Sequence, residues 1–420
     1  MGVNNMKKRI LIIVLILFIF SIVGCTGKNT KSSIKNITND KQLTQKEKLD
    51  DFEYMYTILK ENYPYFEVNK RLNEIDWLAN KNKYLSKIKF TNNDDDFIKA
   101  IQSILADLNN GHTNALDKGS YSYMKGVYEK NQELNRAWLE QLNNSKAIKR
   151  YSTISNFEDT SPLPLSPNSI TPGNVKVNVL EKEKVVYLSI KSFNTFNIDG
   201  DMKIIKPYLQ SINNYKALII DIRGNGGGNS SYWSNNIVPM LINKPLEETQ
   251  YEAFRGGSFI EQFIKSRRGF GYEKLEPILN INKVNLKNLP PELKSDFKYF
   301  LEQKSQYQPN NSAGFNGKIY LLIDGAVFSS SERFAIFAKN TGFATLVGER
   351  TGGDGIGDDP AICVLPNSGY LFRFTKQMGL TSNGACNFEN KTEPDIKVSA
   401  KINSNLSNDE AVQAVLKILD

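Results

Sequence analysis

Residues 317–340 read GKIYLLIDGAVFSSSERFAIFAKN. Ile319 to Ile323 is an apolar run rich in β-branched and aromatic side chains, of a length that suits a buried strand. Asp324 and Gly325 break it, and apolar side chains return at Phe334, Ala335, Phe337 and Ala338 with helical spacing. Ser329 is therefore predicted at a strand–turn–helix junction, where unpaired backbone N–H groups and the helix dipole favour developing negative charge. A second role fits the same residue: Ser329 and Glu332 have the spacing of a capping box. The nucleophile reading needs a base and an oxyanion site from elsewhere in the chain.

Candidates for both are present. The run Ala217 to Ile222 leads into Arg223-Gly224-Asn225-Gly226-Gly227-Gly228. A glycine-rich turn after a strand exposes N–H groups to an oxyanion or a phosphate. No phosphate-loop or dinucleotide pattern accompanies it. Asp221 and Arg223 are expected to pair at the strand end. Further back, a helix is predicted after Asn93, with Phe97, Ile98, Ile101, Ile104, Leu105 and Leu108 on one face. Asn109-Asn110-Gly111 is read as its stop, with Gly111 as the left-handed cap. His112 follows, the only histidine in 420 residues. One histidine and the distant Cys363 and Cys386 do not make the usual zinc set, and no cofactor is implied.

The chain carries a net charge of +8 without a basic block, so nucleic-acid binding is not indicated. Lys7-Lys8-Arg9, the apolar run Ile10 to Phe20 and Ser21-Ile22-Val23-Gly24-Cys25 form an export signal. Its end resembles the lipobox of bacterial lipoproteins, which implies lipidation at Cys25 and a lipid-anchored protein on the extracytoplasmic face of a bacterial cell membrane. An ordinary signal anchor is the alternative. Export permits a disulfide between Cys363 and Cys386, but spacing alone does not establish one.

The expected organisation is a signal peptide over 1–24, a polar tether over 25–45 and an N-terminal helical domain over 46–117 that carries His112. An irregular connector over 118–175, with a polar helical patch near 127–146, and an α/β core over 176–420 follow. Within the core, apolar strands at Val185 to Ile190, Ala217 to Ile222, Ile319 to Ile323 and Ala344 to Val347 alternate with helical segments, the pattern of a layered sheet. Residues 245–312 are read as a small helical insertion beside the site.

Several motifs together resemble the C-terminal processing (tail-specific) serine peptidases and the related tricorn core protease. Leu108-Asn-Asn-Gly-His-Thr113 is similar to the family's DGHT element, Ile220 to Gly228 to DLRxNxGG, and Phe328-Ser-Ser-Ser-Glu332 to SASE, whose first serine is the nucleophile. Leu346 to Gly353 and Glu393 to Val398 are similar to GExTxG and xPDIxV. The resemblance spans about residues 45–115 and 176–400 and implies a ClpP/crotonase-like sheet core and a peptide or protein substrate. Tail-specific members use a lysine in the turn after GExTxG; here that slot holds Asp354, and the next lysine is Lys376. The tricorn branch uses Ser, His and Glu, which implies Ser329 as nucleophile, His112 as base and Glu389 as its orienting carboxylate, with Glu393 as competitor. Gly111 stands where tricorn has a serine, and no segment resembles a PDZ domain.

Imidazole is the side chain that titrates nearest neutral pH, which suits a general base for Ser329. The N–H groups of Gly228 and Ser330 are the expected oxyanion donors, each worth on the order of 3 kcal/mol. The expectation is a surface-anchored serine peptidase. A non-catalytic binding lipoprotein on the same scaffold and an esterase are the alternatives.

Overall fold

Three nearly unbroken apolar runs, Val185–Ile190, Ala217–Asp221 and Lys318–Ile323, lie side by side as parallel strands. The computed structural model describes residues 42–154, 171–181, 184–267 and 274–419. The expected signal peptide, Cys25, nearly all of the expected tether and the Ser/Pro/Asn-rich stretch 155–170 lie outside the described residues.

The strands in chain order are β1 (Asn114–Ala115), β2 (Val175–Glu181), β3 (Val185–Ile190), β4 (Ala217–Asp221), β5 (Leu246–Phe254), β6 (Glu276–Pro277) and β7 (Tyr299–Tyr307). There follow β8 (Lys318–Ile323), β9 (Thr345–Gly348), β10 (Ala361–Val364), β11 (Leu371–Phe374), β12 (Met378–Leu380) and β13 (Ile396–Lys397). The central sheet has the order β13-β9-β8-β4-β3-β2, and only β2 runs antiparallel to its neighbour.

Both faces of this sheet are covered, as the apolar runs require. Alternate residues sort cleanly between them. Val186, Leu188, Leu218, Ile220, Leu321 and Ile323 pack with Phe334 and Phe337 of the helix Ser330–Thr341 and with Met202 and Ile205 of Ile198–Gln210. Val185, Tyr187, Ala217, Ile219, Tyr320 and Leu322 pack with Ala411, Val412 and Val415 of Glu410–Leu419. Arg223, at the end of β4, pairs with Asp221 at 2.6 Å and with Asp409 at 2.9 Å, locking the last helix to the sheet.

The N-terminal helices α1 (Gln45–Asn62), α2 (Phe66–Asn73), α3 (Lys81–Lys89) and α4 (Asp94–Ala106) begin and end largely as their sequences dictate. Thr44 and Glu47 close a capping box on α1, and Asn93 caps α4. After α4 it is Asn109, at φ 51°, and not Gly111, that takes the left-handed conformation.

Two regions differ from expectation. Residues 118–153, expected as part of an irregular connector with a polar helical patch only near 127–146, hold three helices, α5 (Lys118–Tyr128), α6 (Arg136–Leu142) and α7 (Ser145–Thr153), which bury Tyr121, Tyr128, Trp138, Leu142 and Tyr151 in the same core as α1 and α4. Residues 245–312, read as helical, are built on a long antiparallel pair, β5 with β7, inside a four-stranded sheet of order β12-β5-β7-β6. Tyr251 and Ala253 face the core while Glu248, Gln250 and Glu252 alternate onto the other face. Half of each strand is polar, which hides it from a search for apolar runs. Cys363 and Cys386 are both buried free thiols, so they do not form the disulfide that export would permit.

Candidate active site

Because β4, β8 and β9 are parallel neighbours, the loops leaving their carboxyl ends emerge together, the usual place for a site in such a sheet. The first is the glycine turn, the second leads to Ser329, and the third to Gly353-Asp354-Gly355. His112 arrives from outside the sheet, on the loop between α4 and β1.

Ser329 has φ 58° and ψ −124°, a conformation that non-glycine residues rarely adopt. Its side chain makes no capping bond, and Glu332 is fully buried, with Oε1 accepting from Asn387 at 2.7 Å and from Thr392 at 2.6 Å. The capping-box reading therefore does not hold. Instead the strained turn aims the hydroxyl away from the helix, at a cost of about 1–3 kcal/mol that the surrounding bonds must offset. Those bonds stitch the Ser329 loop to the Asp354 loop: Ser329 N–H donates to the Gly353 carbonyl (3.3 Å) and Gly352 N–H to that of Val327 (2.8 Å).

His112 Nε2 lies 2.9 Å from Ser329 Oγ. Its Nδ1 lies 2.8 Å from Asp354 Oδ2. Asn110 Nδ2 also donates to that oxygen, at 2.8 Å, and Tyr65 donates to Oδ1 at 3.0 Å. Burial alone would raise the Asp354 carboxyl, but the His112 ring beside it and these donors hold it below the ordinary carboxylate range. Asp354 is an αL residue at φ 56°, and Asn387 accepts the next N–H, that of Gly355, at 2.7 Å. The His112 loop is held in turn by Arg373, which donates to the Gly111 carbonyl (3.0 Å) and to Asn114 Oδ1 (2.6 Å).

The glycine turn is clamped by Asn225, which is fully buried. Its amide donates to the Ile190 carbonyl at 3.0 Å, while Oδ1 accepts from Gly227 N–H (2.9 Å) and Ser331 Oγ (2.7 Å). A Cβ at Gly227 would stand 2.9 Å from Ser329 Cβ and from Ser330 N, so only glycine lets the turn approach Ser329 this closely. Gly228, at φ 132°, is pinned against Phe193, and a Cβ there would meet the Phe193 carbonyl oxygen at 2.3 Å. Gly228 and Ser330 both line the cleft at Ser329, and their N–H groups find no acceptor among the described residues.

Of the residues singled out from sequence, Ser329, His112, Gly228 and Ser330 are brought together. Glu389 is not. Both its oxygens are taken by Arg71, at 2.9 and 2.7 Å, and Glu393 pairs with Lys397 at 2.9 Å and Arg350 at 3.4 Å. The carboxylate on His112 is Asp354, which sequence reading noted only as the slot of a missing lysine. Its place directly after Gly352-Gly353, in the loop that the tail-specific enzymes use for their base, was the available signal. Lys376 does not replace that lysine, because its fully buried ammonium binds Asp358 (3.2 Å) and the Asp359 carbonyl (2.6 Å).

No curated protein sequence matches the chain. Solved structures of the same fold include a putative peptidase from Parabacteroides merdae, 20% identical, which aligns over 89% of this chain and 96% of its own with a TM-score of 0.54. Mature CPAF is 14% identical over 90% of this chain and 96% of its own, with a TM-score of 0.53. In complex with lactacystin it gives 0.54 at the same identity, over 90% and 97%. The profile of peptidase family S41 matches residues 184–398, half of the chain; the chain belongs to that family and is a serine-type peptidase.

Proposed function

We propose that this chain is a Ser/His/Asp endopeptidase that works through an acyl-enzyme, tethered by lipid to the outer side of a bacterial cell membrane. The observation that supports the mechanism best is the hydrogen-bonded series Ser329–His112–Asp354, at 2.9 and 2.8 Å. In this reading Ser329 Oγ attacks the scissile carbonyl carbon and its proton passes to His112 Nε2. Asp354 fixes the Nδ1–H tautomer and stabilises the imidazolium. Charge on the carbonyl oxygen faces the N–H groups of Gly228 and Ser330, already oriented by the glycine clamp and the helix start. His112 then protonates the leaving amine, and water enters to reverse the sequence and free the acid. The helix dipole of Ser330–Thr341 adds to the field at the same point.

The experiment is digestion of casein and a peptide library by wild-type protein and by Ser329→Ala, with fluorophosphonate labelling in parallel. Cleavage and labelling are expected only where Ser329 is present. Equal cleavage by both proteins defeats the mechanism. Unlabelled wild type that cuts nothing favours a binding role on this scaffold. The tether is supported by the basic, apolar and Gly24-Cys25 pattern of the leader. Radiolabelled palmitate should enter the wild type and not Cys25→Ala in a bacterial host, with loss of membrane fractionation in the variant. An unlabelled wild type removes the lipid anchor.

A further inference from the structure

Ser329 opens onto a cleft of about 920 Å³, one wall of which is the polar face of β5 and β7. This wall starts directly beside the nucleophile. Arg333 lies one helical turn past Ser329, and its N–H donates to the Ser329 carbonyl at 2.8 Å. Gln250, Glu252, Arg333 and Gln377 all line the cleft, yet each is more than nine-tenths buried. The Arg333 guanidinium is ion-paired with Glu248 from behind the lining, so its charge is already engaged.

Three buried polar atoms of the lining have no partner among the described residues, the acceptors Gln250 Oε1 and Gln377 Oε1 and the donor Arg333 Nη1; behind the lining Glu248 Oε2 is likewise unpartnered. Orphaned buried groups are costly and concentrate where something else completes them. Here acceptors outnumber donors. The charges agree. Among the described lining residues Glu252, Asp354, Asp358 and Asp359 face Arg267 and Arg333, an acidic excess inside a chain whose net charge is +8.

We propose that this wall is a substrate subsite selecting a basic side chain, lysine or arginine, at one fixed position relative to the bond cut. The inference rests on the peptidase reading above. An ammonium or guanidinium supplies three or five donors and a positive charge, matching both the surplus acceptors and the acidic lining. A substrate carboxylate would set further acceptors against those present. An aliphatic side chain would leave them desolvated and unpaired.

The test is mass-spectrometric mapping of new termini after digestion of a proteome-derived peptide library, with Ser329→Ala as background. Ser329-dependent cuts should show Lys or Arg at one fixed position, with kcat/KM for matched peptides at least about tenfold above Leu. Gln250→Glu should strengthen that preference and Gln250→Lys should turn it toward acidic side chains. Gln377→Glu repeats the test from another part of the wall should a Gln250 variant fail to fold. Ser329-dependent cuts without basic preference, or a preference unmoved by these changes, overturn the subsite and leave the peptidase standing. No Ser329-dependent cut at all removes the peptidase reading, and the subsite goes with it.

Discussion

Asp354→Asn isolates the carboxylate that the structure sets against His112. The substitution keeps the shape and removes the charge. In the wild type Oδ2 accepts from both His112 Nδ1 and Asn110 Nδ2. An asparagine that turned its NH2 group to this side would face a second donor in Asn110 and force His112 to present Nε2–H to Ser329, a tautomer unable to take the serine proton. Turned the other way, it keeps the tautomer but leaves the imidazolium without a counter-charge. At an effective dielectric of about 20, unit charges 2.8 Å apart attract by about 6 kcal/mol. With about 1.4 kcal/mol per factor of ten, kcat is expected to fall on the order of 10,000-fold. The assay is Ser329-dependent hydrolysis of a fluorogenic peptide under saturating conditions, with circular dichroism to confirm folding. Glu389→Gln is the control; it breaks only the Arg71 pair and should keep kcat within about threefold, since a half-exposed pair is worth little. A folded Asp354→Asn within tenfold of wild type, or a Glu389→Gln that loses a thousandfold, would refute the assignment.

Three further outcomes follow from the same geometry. Ser329→Gly should abolish turnover yet raise the unfolding midpoint, because glycine relieves the positive φ at 329 by about 1–2 kcal/mol; Ser329→Ala abolishes turnover without that gain, and calorimetry of the pair decides. Asn225→Ala should cost about 3 kcal/mol in denaturant unfolding, since it orphans the Ile190 carbonyl, Gly227 N–H and Ser331 hydroxyl; kcat should fall more than KM rises, and an unchanged kcat would separate the clamp from catalysis. The Asp354 carboxyl is held below its ordinary value of 3.8, chiefly by His112 acting against burial, so its contribution to stability is present above that pH and lost as pH falls through the lower folded value. The stability gap between wild type and Asp354→Asn should therefore be full near neutral pH and shrink below about pH 3.8, and a gap constant through acid contradicts this.

The core strands and the helix after Ser329 were legible because their signals are local. An apolar run such as Ile319–Ile323 and helical spacing such as Phe334–Phe337 report burial whatever the distant neighbours are. The β5–β7 pair was missed for the same reason. With Glu248, Gln250 and Glu252 on one face, the run looks solvent-exposed until the opposing wall of a cleft is in place. Likewise α5 to α7 are polar along much of their length, and only their shared core with α1 and α4 shows that Trp138 and Tyr151 are structural anchors.

By itself the sequence determined a layered α/β sheet, a serine at the head of a helix, a glycine turn after another strand and a single histidine within motif reach. Tertiary structure decided which carboxylate holds that histidine, that Ser329 sits on a strained backbone against His112 and is not a cap, and that the cysteines stay apart. The first of these depends on atoms brought within about 3 Å from segments hundreds of residues apart, as His112 is to both Ser329 and Asp354. Periodicity carries no information at that range, because a loop's direction is set by its backbone angles and by the bonds that pin it, and those exist only once the chain has folded.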